Sequence, residues 1–137
     1  MYRMTFVDTS VFLALEDESD EHHKEALQFR HELLLEGNYQ LITTSYILDE
    51  TLTLIRSRLG IRASIDFSKA IRRSKALKIL PVSKDIEEKA LDLFEAYDDK
   101  DFSFTDCVSF VVMREMGIEE AFAFDRHFDQ MGFIRRP

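Results

Sequence analysis

An α/β sandwich with a mainly parallel central sheet is the fold this sequence predicts. Short apolar runs alternate with helical patterns from one end of the chain to the other, which is the signature of strands joined through helices. Four Gly and two Pro leave little room for long loops, and there is no repeat, low-complexity tract or linker. The 137 residues fit one compact domain, residues 1–137, and a 45% hydrophobic content with twelve Phe is enough apolar material for a continuous core.

The elements follow in order. Residues 4–7 read as a short buried strand, 11–15 as a short helix, and 21–36 as a longer amphipathic helix ending at Gly37-Asn38. Residues 40–43 form the next strand. Ser45 can cap a helix that runs to Leu59 and stops at Gly60. Residues 61–75 form a basic helix and 77–82 a strand. Ser83 caps a helix reaching Tyr97, with Glu87 and Glu88 in its first turns. Residues 98–102 are a polar loop. Ser103 caps a helix to Met116 that Gly117 ends; residues 121–124 and 133–135 are the remaining strands.

No apolar run approaches the roughly 20 residues a bilayer-spanning helix needs. The N-terminal residues reach Asp8 too early for a secretory leader, and Cys107 has no second cysteine to pair with. The expectation is a soluble cytoplasmic protein without a membrane partner. A net charge of -8 argues against polyanionic partners, but the charge is uneven. Residues 56–78 hold eight basic residues (Arg56, Arg58, Arg62, Lys69, Arg72, Arg73, Lys75, Lys78) against Asp66 alone, a net +7 that leaves about -15 elsewhere. Such a segment reads either as a solvated helix face or as a grip on a polyanion held beside a cation site.

Ligands of open α/β sheets bind at the carboxyl ends of the strands. Asp8 follows the first expected strand, and Asp49 and Glu50 lie on the helix after the second. Asp125 follows the run 121–124, and Asp106 sits in the first turn of the helix capped by Ser103. That helix is apolar nearly all round, with Phe110 and Met113 on the face of Asp106. Glu50 shares a stripe with Ile47 and Leu54, whereas Asp49 is directed toward Tyr46 and Thr53. Taken singly, each acid reads as a helix cap, and Ser103-x-x-Asp106 has the spacing of a capping box. Independent capping does not make four acids converge. Convergence would demand a cation, because two carboxylates ~4 Å apart repel by about 4 kcal/mol at an effective dielectric near 20. Oxygen ligands select hard ions such as Mg²⁺ or Mn²⁺, which suit phosphodiester hydrolysis.

Four segments together resemble the PIN domain family and, within it, the small VapC-type toxins. They are Val7-Asp8-Thr9-Ser10, the stretch from Thr43 to Thr51, Phe102-Ser103-Phe104-Thr105-Asp106, and Ala123-Phe124-Asp125-Arg126-His127-Phe128. The resemblance implies a three-layer α/β/α sandwich with a parallel sheet and a Mg²⁺- or Mn²⁺-dependent endoribonuclease. It implies that Asp8, Glu50, Asp106 and Asp125 are the catalytic metal ligands or their close supports, and that Thr9 and Ser10 position water or ligand. It also implies a small antitoxin partner and a homodimer using the helices after Ser45 and Ile61. Arg56, Arg58, Arg72 and Arg73 are the candidates for holding the RNA backbone or an acidic antitoxin tail. A housekeeping ribonuclease of RNA maturation, or a non-catalytic PIN-like binding module, would share much of this pattern.

Other residues carry less. His22, His23, His31 and His127 have no zinc spacing and read as exposed helix residues, with His127 packing beside Phe128. Cys107 reads as a small core hydrophobe, Asp129 as surface or cap, and the Phe residues as core. A dehalogenase-like phosphatase would need a second Asp where Ser10 stands. A response-regulator receiver would need paired acids and a Lys that are not evident, and no glycine-rich phosphate loop is present.

Overall fold

The computed structural model describes residues 2–137. Strand β1 (Arg3–Val7) runs into α1 (Thr9–Glu16), and α2 (His23–Glu36) leads to β2 (Tyr39–Thr44). Helices α3 (Ser45–Leu59) and α4 (Ile61–Arg73) precede β3 (Leu77–Leu80). Helices α5 (Lys84–Ala96) and α6 (Phe104–Met116) precede β4 (Glu120–Phe122), and α7 (His127–Gln130) precedes β5 (Ile134–Arg136).

The expected strands and helices are all present, with ends displaced by two residues at most. Two local readings change. Thr44, not Ser45, caps α3: its hydroxyl accepts from the Ile47 amide at 3.2 Å, and Ser45 is already helical. The one-turn helix α7 has no counterpart in the sequence reading, because four residues are too few to show a period. Gly117 ends α6 as expected, in the left-handed region at φ 67, where its amide satisfies carbonyls of the last turn.

The five strands are parallel and ordered β3-β2-β1-β4-β5. The chain winds outward from β1 to β3, then crosses back to place β4 on the other side of β1. The order therefore reverses between β1 and β4, and the carboxyl ends of those two strands open the crevice that this topology offers a ligand. Helices cover both faces. Phe6 of β1 meets Phe128 of α7 at 6.3 Å, while Phe122, the register partner of Val7, meets Phe29 of α2 at 4.6 Å on the opposite face. Strands covered on both sides read as continuous apolar runs rather than alternating ones, as these do.

Helix α6 is the most enclosed. Every residue from Asp106 to Met113 is buried. Phe110 has zero exposure and meets the rings of Phe102, Phe128 and Phe133. Helix α4 is amphipathic, burying Ser64, Phe67 and Ile71 and leaving its Arg and Lys outside. Among the described residues no helix is long and apolar enough to cross a membrane.

Candidate active site

The crevice between β1 and β4 is where the acids meet. Asp8 is the first residue beyond β1 and adopts an extended backbone that turns the chain into α1. Its Oδ2 accepts from the Ser10 amide at 3.2 Å and from the Ser10 hydroxyl at 2.7 Å. The same Ser10 Oγ accepts from the Phe124 amide at 3.1 Å, and the Asp8 amide donates to the Phe122 carbonyl at 3.1 Å. Ser10 thus orients the carboxylate and ties it to the strand end that carries Asp125.

Asp106 enters from α6 in a reciprocal cap. The Ser103 amide donates to Asp106 Oδ2 at 3.0 Å, and the Asp106 amide donates to Ser103 Oγ at 3.0 Å. The same Oδ2 lies 2.7 Å from His127 Nδ1. Asp125 Oδ1 accepts from the His127 amide at 2.9 Å and lies 3.2 Å from the imidazole Nδ1. Ligand atoms of Asp106, Asp125 and His127 fall within 4.8 Å of one another. Asp8 caps α1 and Asp106 closes the capping box of α6, as the capping reading expects, whereas α7 begins at the cap position Arg126 without a side-chain cap bond, so Asp125 is not a cap there. Each of the three acids accepts a backbone amide, from Ser10, Ser103 and His127, which holds its side chain in place.

Electrostatics adds Asp8 to this group. Burial pushes the Asp8 carboxyl up to about 7, against the pull of Ser10, and the charges of Asp106 and Asp125 push it further the same way. Burial also raises Asp106, opposed by the Ser103 amide and by His127. Burial of Asp8 and Asp106 beside other carboxylates favours uptake of a proton or a cation. The donor set is mainly carboxylate oxygen, and it fits a hard divalent ion. Asp106, Asp125 and His127 are close enough together to hold one, with Asp8 within reach of their charges.

Glu50 stands apart in what the structure records. It is half-buried on α3 and makes no hydrogen bond or ion pair among the described residues. Its neighbour Thr51 places a hydroxyl 3.4 Å from Thr9, beside Asp8. Asp49 is exposed. Asp129 forms a surface ion pair with Arg135 at 2.9 Å. Cys107 is fully buried, and burial together with the Asp106 charge pushes its thiol up to about 11, so it is no nucleophile.

The histidine reading needs correction. Only His31 is the exposed helix residue expected. His22 stacks on Phe124 at 4.3 Å, and His23 Nδ1 lies 2.6 Å from the Ala14 carbonyl. His127 is part of the acid cluster and packs edge-on against Phe102 at 5.3 Å. The usable signal was Asp125-x-His127, since an Asp accepting from the amide two residues on draws that residue back over its own carboxylate.

The basic segment is only partly free. Arg58 lies 3.2 Å from Asp20 and 3.8 Å from Asp17, and Arg72 donates to the Ser68 carbonyl. Arg56 and Arg73 are exposed and form no ion pair among the described residues. Lys69, Arg72 and Arg73 line one shallow surface hollow.

Comparison with known proteins gives concordant matches. The PIN domain family model matches residues 5–134. The 23S rRNA-specific endonuclease VapC20 of Mycobacterium tuberculosis is 38% identical over 135 residues, covering 98% of this chain and 99% of the relative. A VapC ribonuclease of Archaeoglobus fulgidus is 33% identical over 116 residues, covering 82% of this chain and 72% of its own length. The crystal structure of Mycobacterium tuberculosis VapC20, a sarcin-ricin-loop-cleaving toxin, superposes with a TM-score of 0.86 at 36% identity, covering 97% of this chain and 99% of that one. The structure of FitAcB from Neisseria gonorrhoeae superposes at 0.69 with 13% identity over 98% of this chain and 97% of that one, a likeness of fold alone.

Proposed function

The chain belongs to the PIN domain family, and from that premise we propose that it is a divalent-metal-dependent endoribonuclease, the toxin of a VapBC-type toxin–antitoxin pair. The observation that supports the reading is the cluster of Asp106, Asp125 and His127, whose ligand atoms fall within 4.8 Å of one another, with buried Asp8 near enough for the two acids to raise its carboxyl to about 7. Acids so arranged have no structural use that separate caps would not serve at lower cost. The extent of the VapC20 match, 98% of this chain at 38% identity, supports RNA as the substrate and 23S ribosomal RNA as the first to test.

Asp8, Asp106 and Asp125, with Glu50 as the fourth acid, would hold one or two Mg²⁺ or Mn²⁺ ions. Such an ion polarises a phosphoryl oxygen and lowers the pKa of water toward neutrality. The protein's own contribution is to fix the acids. Ser10 orients Asp8, the Ser103 amide orients Asp106, and the His127 amide orients Asp125. Thr9 and Ser10 would position water or ligand beside Asp8. Unneutralised, the acids repel a phosphodiester, so RNA enters only with cations between them. Arg56, Arg72 and Arg73 would hold the RNA backbone farther out; Arg58 is the weaker candidate because Asp17 and Asp20 already engage it.

The whole chain acts as one nuclease domain in this reading, in the cytoplasm, with a small antitoxin as protein partner. A homodimer through α3 and α4 is supported by Leu59 and Ile61, which stand exposed at the corner between these helices. The test is incubation of the protein with 23S rRNA in Mg²⁺ or Mn²⁺, then with EDTA, then with Asp8→Asn. Discrete cleavage that EDTA and the substitution both abolish is expected. Metal-independent binding without cleavage would overturn the reading in favour of a binding module.

A further inference from the structure

Beside the acid cluster, the end of α5 and the loop of residues 98–102 enclose a groove of about 480 Å³, within the size range of small-molecule pockets. Its aromatic lining is Phe94, Tyr97 and Phe102. Phe94 is 44% exposed, so one face of its ring is open to a ligand in the groove. Its ring stands perpendicular to Phe104 at 6.3 Å, and Phe104 in turn meets Tyr46 at 5.8 Å.

The groove shares two wall residues with the acid site. Ser103 lines it and also donates its amide to Asp106, and Phe102 lines it and packs on His127. Its charge selects what can enter. Glu95, Asp98 and Asp101 are in the lining, and the one cation there, Lys100, lies 3.7 Å from Asp99. A rim of that sign repels phosphate. Carboxylates do accept hydrogen bonds from exocyclic amino groups, and aromatic faces stack with bases splayed out of single-stranded RNA. Aromatic floor, acidic rim and absence of a free cation together describe a pocket for a base rather than a track for a backbone.

We propose that this groove is a nucleobase subsite, in which Phe94 stacks with an unpaired, amino-bearing base of the RNA next to the scissile phosphate while the carboxylates of the rim accept from its amino group. The inference rests on the endoribonuclease reading and adds its specificity element.

The test couples protein and substrate. A hairpin RNA spanning the sarcin-ricin loop of 23S rRNA is cleaved in Mn²⁺ by the full chain, and each loop base in turn is replaced by an abasic residue. One position should lose about 5- to 150-fold in kcat/KM with the wild-type chain. Phe94→Ala should lose a similar factor on the intact hairpin and show little further loss at that abasic position, because the two changes remove one contact. Phe94→Trp should keep both the activity and the base dependence, which separates stacking from any effect on folding. Equal abasic penalties in wild type and Phe94→Ala at every position would overturn the subsite while leaving the nuclease reading intact. Failure of the wild type to cleave any RNA would overturn both. A Phe94→Ala chain that cleaves normally but elutes at half the mass would assign the groove to a second copy, and the proposal would fall.

Discussion

Replacing Asp8 by Asn should stabilise the metal-free protein, and the pH at which it does so follows from the structure. Burial and the neighbouring Asp106 and Asp125 raise the Asp8 carboxyl from 3.8 to about 7. An acid raised in the folded state binds more protons there than in the unfolded chain. Its contribution is therefore destabilising, growing as pH rises from about 4 to about 7 and constant above. Three units correspond to roughly 4 kcal/mol. That figure is already net of the bonds from Ser10; the amide escapes the cost but presents an NH2 where a carboxylate oxygen stood, a poorer fit costing about 1–2 kcal/mol. About 2–3 kcal/mol of net stabilisation remains at pH 8 in EDTA, a rise in Tm of roughly 5–10 °C. Near pH 4 the gain should vanish. Excess Mn²⁺ at pH 8 should reverse the order, because ligand binding to the native state stabilises the wild type and the variant lacks one carboxylate. Thermal melts of both proteins from pH 4 to 8, with EDTA and with Mn²⁺, read all three outcomes. A difference that does not vary with pH, or an Asn variant less stable at pH 8 in EDTA, would refute the electrostatic argument.

Further outcomes follow from other residues. Glu50→Gln should weaken metal binding, read by Mn²⁺ titration, by at least about 10-fold with little change in Tm, since Glu50 is half-buried and unpaired; unchanged affinity would remove Glu50 from the ligand set. Neutralising Arg72 and Arg73 together should lower the slope of log affinity against log salt for single-stranded RNA by about 1.4. A slope equal to wild type would leave α4 no role in the RNA grip. Apparent Mn²⁺ affinity should rise with pH up to about 7, as protons leave Asp8, and then level off; a pH-independent titration would count against Asp8 as a ligand. Cys107 should react with a thiol reagent only as fast as the protein unfolds, because it has no exposure and its thiol is pushed up to about 11.

The fold could be read because its elements are long enough to show a period and end on strong signals. Ser83 and Ser103 cap the helices they were expected to cap, and Gly60 and Gly117 stop theirs. Residues 106–113 are buried all round, as an all-apolar helix must be. The proximity of Asp106 and Asp125, and the reach of their charges to Asp8, could be anticipated because each acid follows or opens an element at one edge of the sheet. His127 was not, since its role depends on a single turn that folds it back onto Asp125 and toward an acid 21 positions earlier. The cap of α3 was misplaced by one residue because Thr44 and Ser45 are both competent hydroxyls, and only the backbone angle distinguishes them. Glu50 lies in the expected segment without a recorded partner, so neither pattern nor geometry alone assigns it.

The Ser10 hydroxyl joins two stretches of chain 114 positions apart, accepting from Phe124 while donating to Asp8. A ribosome making this protein therefore releases Asp8 long before the groups that complete its surroundings have left the exit tunnel. On a chain that stops short of residue 124, Asp8 lacks both Asp125 and the Phe124 amide that anchors Ser10. The set of acids is thus complete only once the end of β4 has been made, a delay that would shield the translating machine if its own RNA is the target.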